Sequence, residues 1–152
     1  MLGRVKGTTQ LRGAFLVNKK IEIYMLHKKL GIYMDHLHAN LLDLTTGTMQ
    51  TSHKGSTFTH EEKEDTLQKS ETLMHHAEQH EEAAYYKQLG EVILQYNDVL
   101  LFGQTQAKTE LYNTLKDNHL FAKIKISVKP ADKLTPNQQE AFVRDYFAKE
   151  LL

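Results

Sequence analysis

The chain has no cysteine. That excludes a disulfide framework, a thiolate metal site and a cysteine nucleophile, and it fits a reducing, cytoplasmic setting. No run of about 18 apolar residues occurs, so no membrane span is expected. Arg4, Lys6 and Arg12 lie near the N-terminus, but the apolar stretch 13–17 falls short of the roughly 7–15 residues of a secretory signal core. Net charge is also missing, with 19 basic against 19 acidic residues. A nucleic-acid binder held by charge alone is thereby disfavoured. There is no internal repeat and no low-complexity tract.

What is present suits one domain. A chain of 152 residues, 40% hydrophobic, can bury roughly two-thirds of its unfolded surface. Its charge is unevenly spread. Residues 1–29 hold seven Lys or Arg against Glu22, and residues 60–91 hold nine acids against three lysines. Each run reads first as a solvated tail or helix face, and otherwise as a binding surface. Residues 1–24 show no sustained period and are expected to be a mostly disordered basic extension. A translation start at Met25 would suit the sequence, and the domain is expected over 25–152.

Residues 30–35, 38–44 and 48–52 read as three short strands of an antiparallel meander, turning near His36 and at Thr45, Thr46 and Gly47. Residues 54–56 are expected to form a loop. Thr59 is a candidate N-cap for a long acidic helix over 60–97, with Glu61, Glu62 and Glu64 in its first turn. Its apolar stripe runs Leu67, Ser70, Met74, Ala77, then Tyr85, Leu89, Val92, Ile93 and Tyr96. Residues 78–82 are polar nearly all round, so the helix either breaks there or passes through solvent. Asn97 and Asp98 are expected to end it. Residues 99–102 are wholly apolar, as in a strand buried on both faces. Residues 107–115 form an amphipathic helix. Residues 122–128 alternate, with Ile124, Ile126 and Val128 facing one way and Lys123 and Lys125 the other. Thr135 caps a last helix that opens with Pro136, and Ala141, Phe142, Tyr146, Phe147 and Leu151 are its expected buried stripe. The order β-β-β-α-β-α-β-α predicts an α/β fold, an RNase H-like mixed sheet covered by helices.

The stretch Val-Leu-Leu-Phe-Gly-Gln-Thr-Gln-Ala-Lys-Thr-Glu-Leu over 99–111 resembles the signature of the Pelota and class-I release factor central domain. There an apolar strand enters a Gly turn and a Lys-x-Glu-Leu helix start, here Gly103, Lys108, Glu110 and Leu111. The first strand ends in Asp35, and Asn137, Ala141 and Phe142 match a closing helix. The stretch Lys-Lys-Leu-Gly-Ile-Tyr-Met-Asp-His over 28–36 is similar to the opening of stand-alone bacterial relatives. The resemblance covers 29–152. It implies an RNase H-like fold and recognition of the ribosome or of tRNA-like RNA. The loop that carries Gly-Gly-Gln in release factors reads His53-Lys54-Gly55-Ser56-Thr57 here, and no Gly-Gly-Gln occurs in the chain. Peptidyl-tRNA hydrolysis is therefore not expected.

Each candidate for chemistry stands beside a plainer reading. RNase H-like nucleases gather about three or four carboxylates around two divalent metals. Asp35 is the candidate on the first strand, with Asp43 and Asp98 next; whether Asp43 approaches Asp35 depends on strand register. Alternatively Asp35 caps the turn at His36. His76 and His80 are spaced i, i+4, as in some zinc sites, or they line a hydrophilic helix face beside His75. His36 and His38 share one face of an extended segment. The turn from Gly103 to Lys108 suits a phosphate, or Gly103 serves a tight turn and Lys108 is solvated. If the domain touches RNA, Lys54, Lys108, Lys123 and Lys125 are the expected backbone contacts. The resemblance thus implies a non-enzymatic, translation-associated factor that binds the ribosome or tRNA-like RNA, with no cofactor. A nuclease or phosphoesterase using Asp35, and a protein-interaction module built on the acidic helix, are the alternatives.

Overall fold

The computed structural model describes residues 27–55 and 71–150, and side chains within the long helix from residue 75 onward. The strands are β1 (Lys29–Met34), β2 (His38–Asp43), β3 (Gln50–Gly55), β4 (Asp98–Gly103) and β5 (Lys125–Pro130). The helices are α1 (Glu71–Ile93), α2 (Ala107–Leu115) and α3 (Pro136–Glu150), with a 3₁₀ turn at His119–Phe121. The basic extension, the start at Met25, Thr59 and its acidic first turn, Leu67, Ser70, the side chain of Met74, and Leu151 lie outside the described residues.

The sheet order is β3-β2-β1-β4-β5. The meander strands pair antiparallel, and β1–β4 and β4–β5 pair parallel. This is the mixed, RNase H-like sheet. All six residues of β4 are buried, because helices cover both of its faces. Alternation sorts the cores. Leu30, Ile32, Met34, Val99 and Leu101 face α1 and α2, where Tyr85, Leu89, Ile93, Leu111 and Leu115 pack against them. Leu42, Leu100 and Phe102 face α3 through Val143 and Phe147. Fully burying such a side chain contributes roughly 1.5–3 kcal/mol.

Asn97 closes the sheet's lower end. Its side-chain oxygen accepts the Lys28 amide at 2.8 Å, its own amide donates to the Lys28 carbonyl at 2.9 Å, and its carbonyl accepts the Lys125 amide at 3.0 Å. At α3, Thr135 and Gln138 form a reciprocal capping box, the Thr135 hydroxyl accepting the Gln138 amide and the Gln138 side chain accepting the Thr135 amide.

Several expectations are corrected. Of the two readings of residues 78–82 the continuous helix holds, but α1 ends at Ile93 rather than at Asn97, so Asp98 opens β4 and Tyr96 lies in the turn between them. The third strand begins and ends later, taking in Lys54 and Gly55. β5 begins at Lys125, leaving Lys123 in the turn before it. In α3, Ala141 is exposed and Val143 is the buried centre, since only the 139, 143, 147 spacing keeps one line against the sheet.

Candidate functional site

Ligand sites in open α/β sheets favour the crevice beyond the carboxyl ends of parallel strands. Here that end carries Asp35 and Gly103. Asp35 Oδ1 accepts the amides of Leu37 and His38, each at 2.7 Å, and the Tyr85 hydroxyl donates to its carbonyl at 3.1 Å. The carboxylate therefore caps the β1–β2 turn. His38 Nδ1 lies 3.7 Å from the same oxygen, and its ring stacks on His53 across the strands with centroids 5.7 Å apart.

Register settles the carboxylate question. Asp43 pairs with Leu30, and Asp98 with Lys29. Both lie at the far end of β1 from Asp35, about 16 to 20 Å away at the usual strand rise. The three candidate carboxylates are not brought together. Asp43 instead accepts the Thr45 amide at 2.8 Å and the Tyr96 hydroxyl at 2.7 Å. Burial pushes its carboxyl up, and the bonds from Thr45 and Tyr96 outweigh that and hold it below the ordinary value. Among the described residues no three His, Asp or Glu side chains are grouped to hold a metal ion. His76 and His80 are exposed on α1.

The Gly103 turn has a structural demand. Gly103 adopts φ +152°, and a Cβ there would overlap the carbonyl oxygen of Met34. Past the turn, Lys108 is buried rather than solvated, and its ammonium donates to the Thr105 carbonyl at 2.5 Å. The Lys108 side chain thus folds back into its own turn rather than outward. Glu110 anchors the other side of α2. Its Oε2 accepts the Tyr86 hydroxyl at 2.7 Å and lies 3.1 Å from His36 Nε2. The Tyr86 bond, opposed by burial and aided by His36, holds the Glu110 carboxyl below its usual range, while burial and Glu110 push the Tyr86 phenol up.

The remaining lysines divide. Lys54 is exposed on β3, and Lys123 and Lys125 are exposed at β5. These are opposite margins of the sheet, so the four expected contacts do not form one patch. On β5, however, Lys129 is also exposed, and Lys133 is exposed in the loop that follows the strand. Both were missed. The period-two alternation at Lys123 and Lys125, carried on along the strand, would have found Lys129.

The lower end holds one further charged group of side chains. Asp98 is 5% exposed, and its Oδ1 has no hydrogen-bond donor among the described residues. Burial, and then Glu150 beside it, push its carboxyl up to about 7. Glu150 pairs with Lys125 and lies 3.0 Å from the Tyr146 hydroxyl, which donates to Ser127 at 2.7 Å. The native chain thus holds a proton on Asp98 that an unfolded carboxyl, near 3.9, would release. This contribution is full below about pH 4 and is lost as pH rises through about 7. Glu150, held low, acts in the opposite sense at more acidic pH. Wild-type stability minus that of Asp98→Asn is expected to fall between pH 4 and 8, by on the order of 2 kcal/mol. Urea unfolding of both proteins across that range checks it, and a pH-independent difference would refute it.

No family model matches the chain, and no curated protein matches it. Among solved structures, the fold is similar to the crystal structure of Archaeoglobus fulgidus Pelota, with a TM-score of 0.44 and 9% identity. The match covers 90% of this chain, which spans 39% of that one. A likeness that faint carries no argument of its own. The RNase H-like arrangement rests on the strand order and register.

Proposed function

We propose that this domain is a non-enzymatic, cytoplasmic factor of translation that binds the ribosome or tRNA-like RNA, with β5 and its flanks as the contact. The exposed lysines on β5 and in the segments before and after it, Lys123, Lys125, Lys129 and Lys133, are the observation that supports it. Ammonium groups on an edge strand and in the segments that flank it can meet a phosphate backbone without reading bases. Lys125 is partly neutralised by Glu150, so Lys123, Lys129 and Lys133 are assigned the larger share. Edge-strand lysines also serve to block sheet-to-sheet pairing, and salt dependence separates the two roles. The motif likeness over 28–36 and 99–111 supports reading the chain as a stand-alone relative of the Pelota and release factor central domain.

Tagged protein sedimented with cell lysate through a sucrose gradient is expected to travel with ribosomal particles at low salt and to leave them as salt rises. Each phosphate contact contributes a slope of roughly −0.7 to −0.9 in log K against log salt. Lys123→Glu with Lys129→Glu is expected to abolish co-migration. Migration in the soluble fractions at every salt, under starvation as well, would sink the reading. Purified protein with RNA and Mg²⁺ or Mn²⁺ is expected to cleave nothing. Cleavage abolished by Asp35→Asn would replace this proposal with a nuclease.

A further inference from the structure

A groove of 770 Å³ runs between α1, α2 and the 3₁₀ turn. Gly90, Leu115 and Phe121 form its floor. A Cβ on Gly90 would stand 3.4 Å from Leu115 Cδ2 and 3.6 Å from Phe121 Cζ, so the glycine keeps the floor open. Leu94 and Leu120 also line it, 42% and 58% exposed. Large aliphatic side chains this exposed, beside an apolar floor, mark an interaction site when they are contiguous.

The charged lining is lopsided. Among the described residues, Glu82, Glu91 and Glu110 line it beside one cation, Lys87. Glu110 is held as a carboxylate by the Tyr86 hydroxyl and His36. The acids disfavour RNA here, whereas the lysines at β5 favour it, so the two surfaces select opposite partners.

We infer that this groove receives an amphipathic helix of a partner protein, its apolar stripe flanked by Lys or Arg. Anchors at i, i+3, i+4 and i+7 would lie over Gly90 and between Leu94 and Leu120, the usual mode of a helix in an apolar groove. The flanking cations would meet Glu82 and Glu91.

The absence of cysteine lets Thr114→Cys, at the groove, carry a single environment-sensitive fluorophore on the full chain. The probe is a short Leu/Lys peptide with leucines at that spacing, and the control has Glu for every Lys. The Lys peptide is expected to bind with a Kd on the order of micromolar, and the Glu peptide not to bind. Glu82→Lys with Glu91→Lys, and separately Leu94→Ser with Leu120→Ser, are expected to weaken binding by about tenfold or more. Leu120→Ser alone alters a side chain already mostly in water, so its loss of affinity does not reflect unfolding. Failure of the Lys peptide to bind, equal binding of the Glu peptide, or indifference to both variant pairs would overturn the inference. So would binding that appears only after Arg12, Lys19 and Lys20 are changed to Glu, since the chain's own residues would then fill the groove.

Discussion

Gly103→Ala is expected to lower the stability of the chain by about 3 kcal/mol, near the upper end for a single methyl group. Two costs coincide there. The residue has φ +152°, which an L side chain rarely adopts, and its added Cβ would overlap the Met34 carbonyl oxygen. Met34 is the last residue of β1, so relief by movement would pull apart the β1–β4 pairing just behind it. The Gly103 carbonyl also accepts the Ala131 amide at 3.1 Å, which ties the same peptide to the end of β5. Gly47 is the internal control. It has φ +79° with nothing within 4 Å of its would-be Cβ, so Gly47→Ala should show the conformational cost alone, about 1 kcal/mol. Denaturant midpoints at unchanged slope measure both. Equal losses at the two positions would show that the Met34 approach is unimportant.

A comparable loss is expected at Gly31, for a different reason. Its backbone is ordinary strand, but its Cβ would overlap Val143, which is fully buried on α3. Tyr33 and Phe102 flank this contact with ring centroids 5.3 Å apart, and Phe102 stacks on Phe142 at 4.7 Å, so the helix has no clear direction in which to shift. Gly31→Ala is expected to cost about 2–3 kcal/mol by overpacking, and Val143→Ala about 2 kcal/mol by leaving a cavity. The double variant restores the volume. Its cost should fall below the sum of the singles by 1 kcal/mol or more, on the order expected for residues in contact. Strict additivity in the thermodynamic cycle would refute the packing account.

Local pattern and tertiary consequence were not equally legible in the sequence. The apolar run 99–102 announced a central strand because only a strand covered on both faces tolerates it, and β4 is that strand. Thr135 and Pro136 announced α3 because capping is a local matter of a few residues. The end of α1 was misjudged by four residues, since Tyr96 continues the helical stripe while its hydroxyl is fixed by Asp43. The grouping of Asp35, Asp43 and Asp98 depended on register, which no short motif encodes. The burial of Lys108 was equally hidden, because a lysine at a helix start is solvated unless its own turn offers a carbonyl, and Thr105 does. Gly31 passed as one strand residue among others; its importance appears only when Val143 is set against it.

The β1–β4 ladder joins residues whose positions differ by 69, as at Lys29 and Asp98. Topologies dominated by such distant pairings fold slowly, because loop closure must come before the contacts that reward it. The meander β1–β2–β3 leaves a ribosome first, with Leu30, Ile32 and Leu41 on a face that nothing yet covers. Its partners α1 and β4 follow only after the intervening chain has been made. For that interval the nascent chain presents an apolar sheet with an open edge at β1, the kind of surface on which chaperones act and from which aggregates grow.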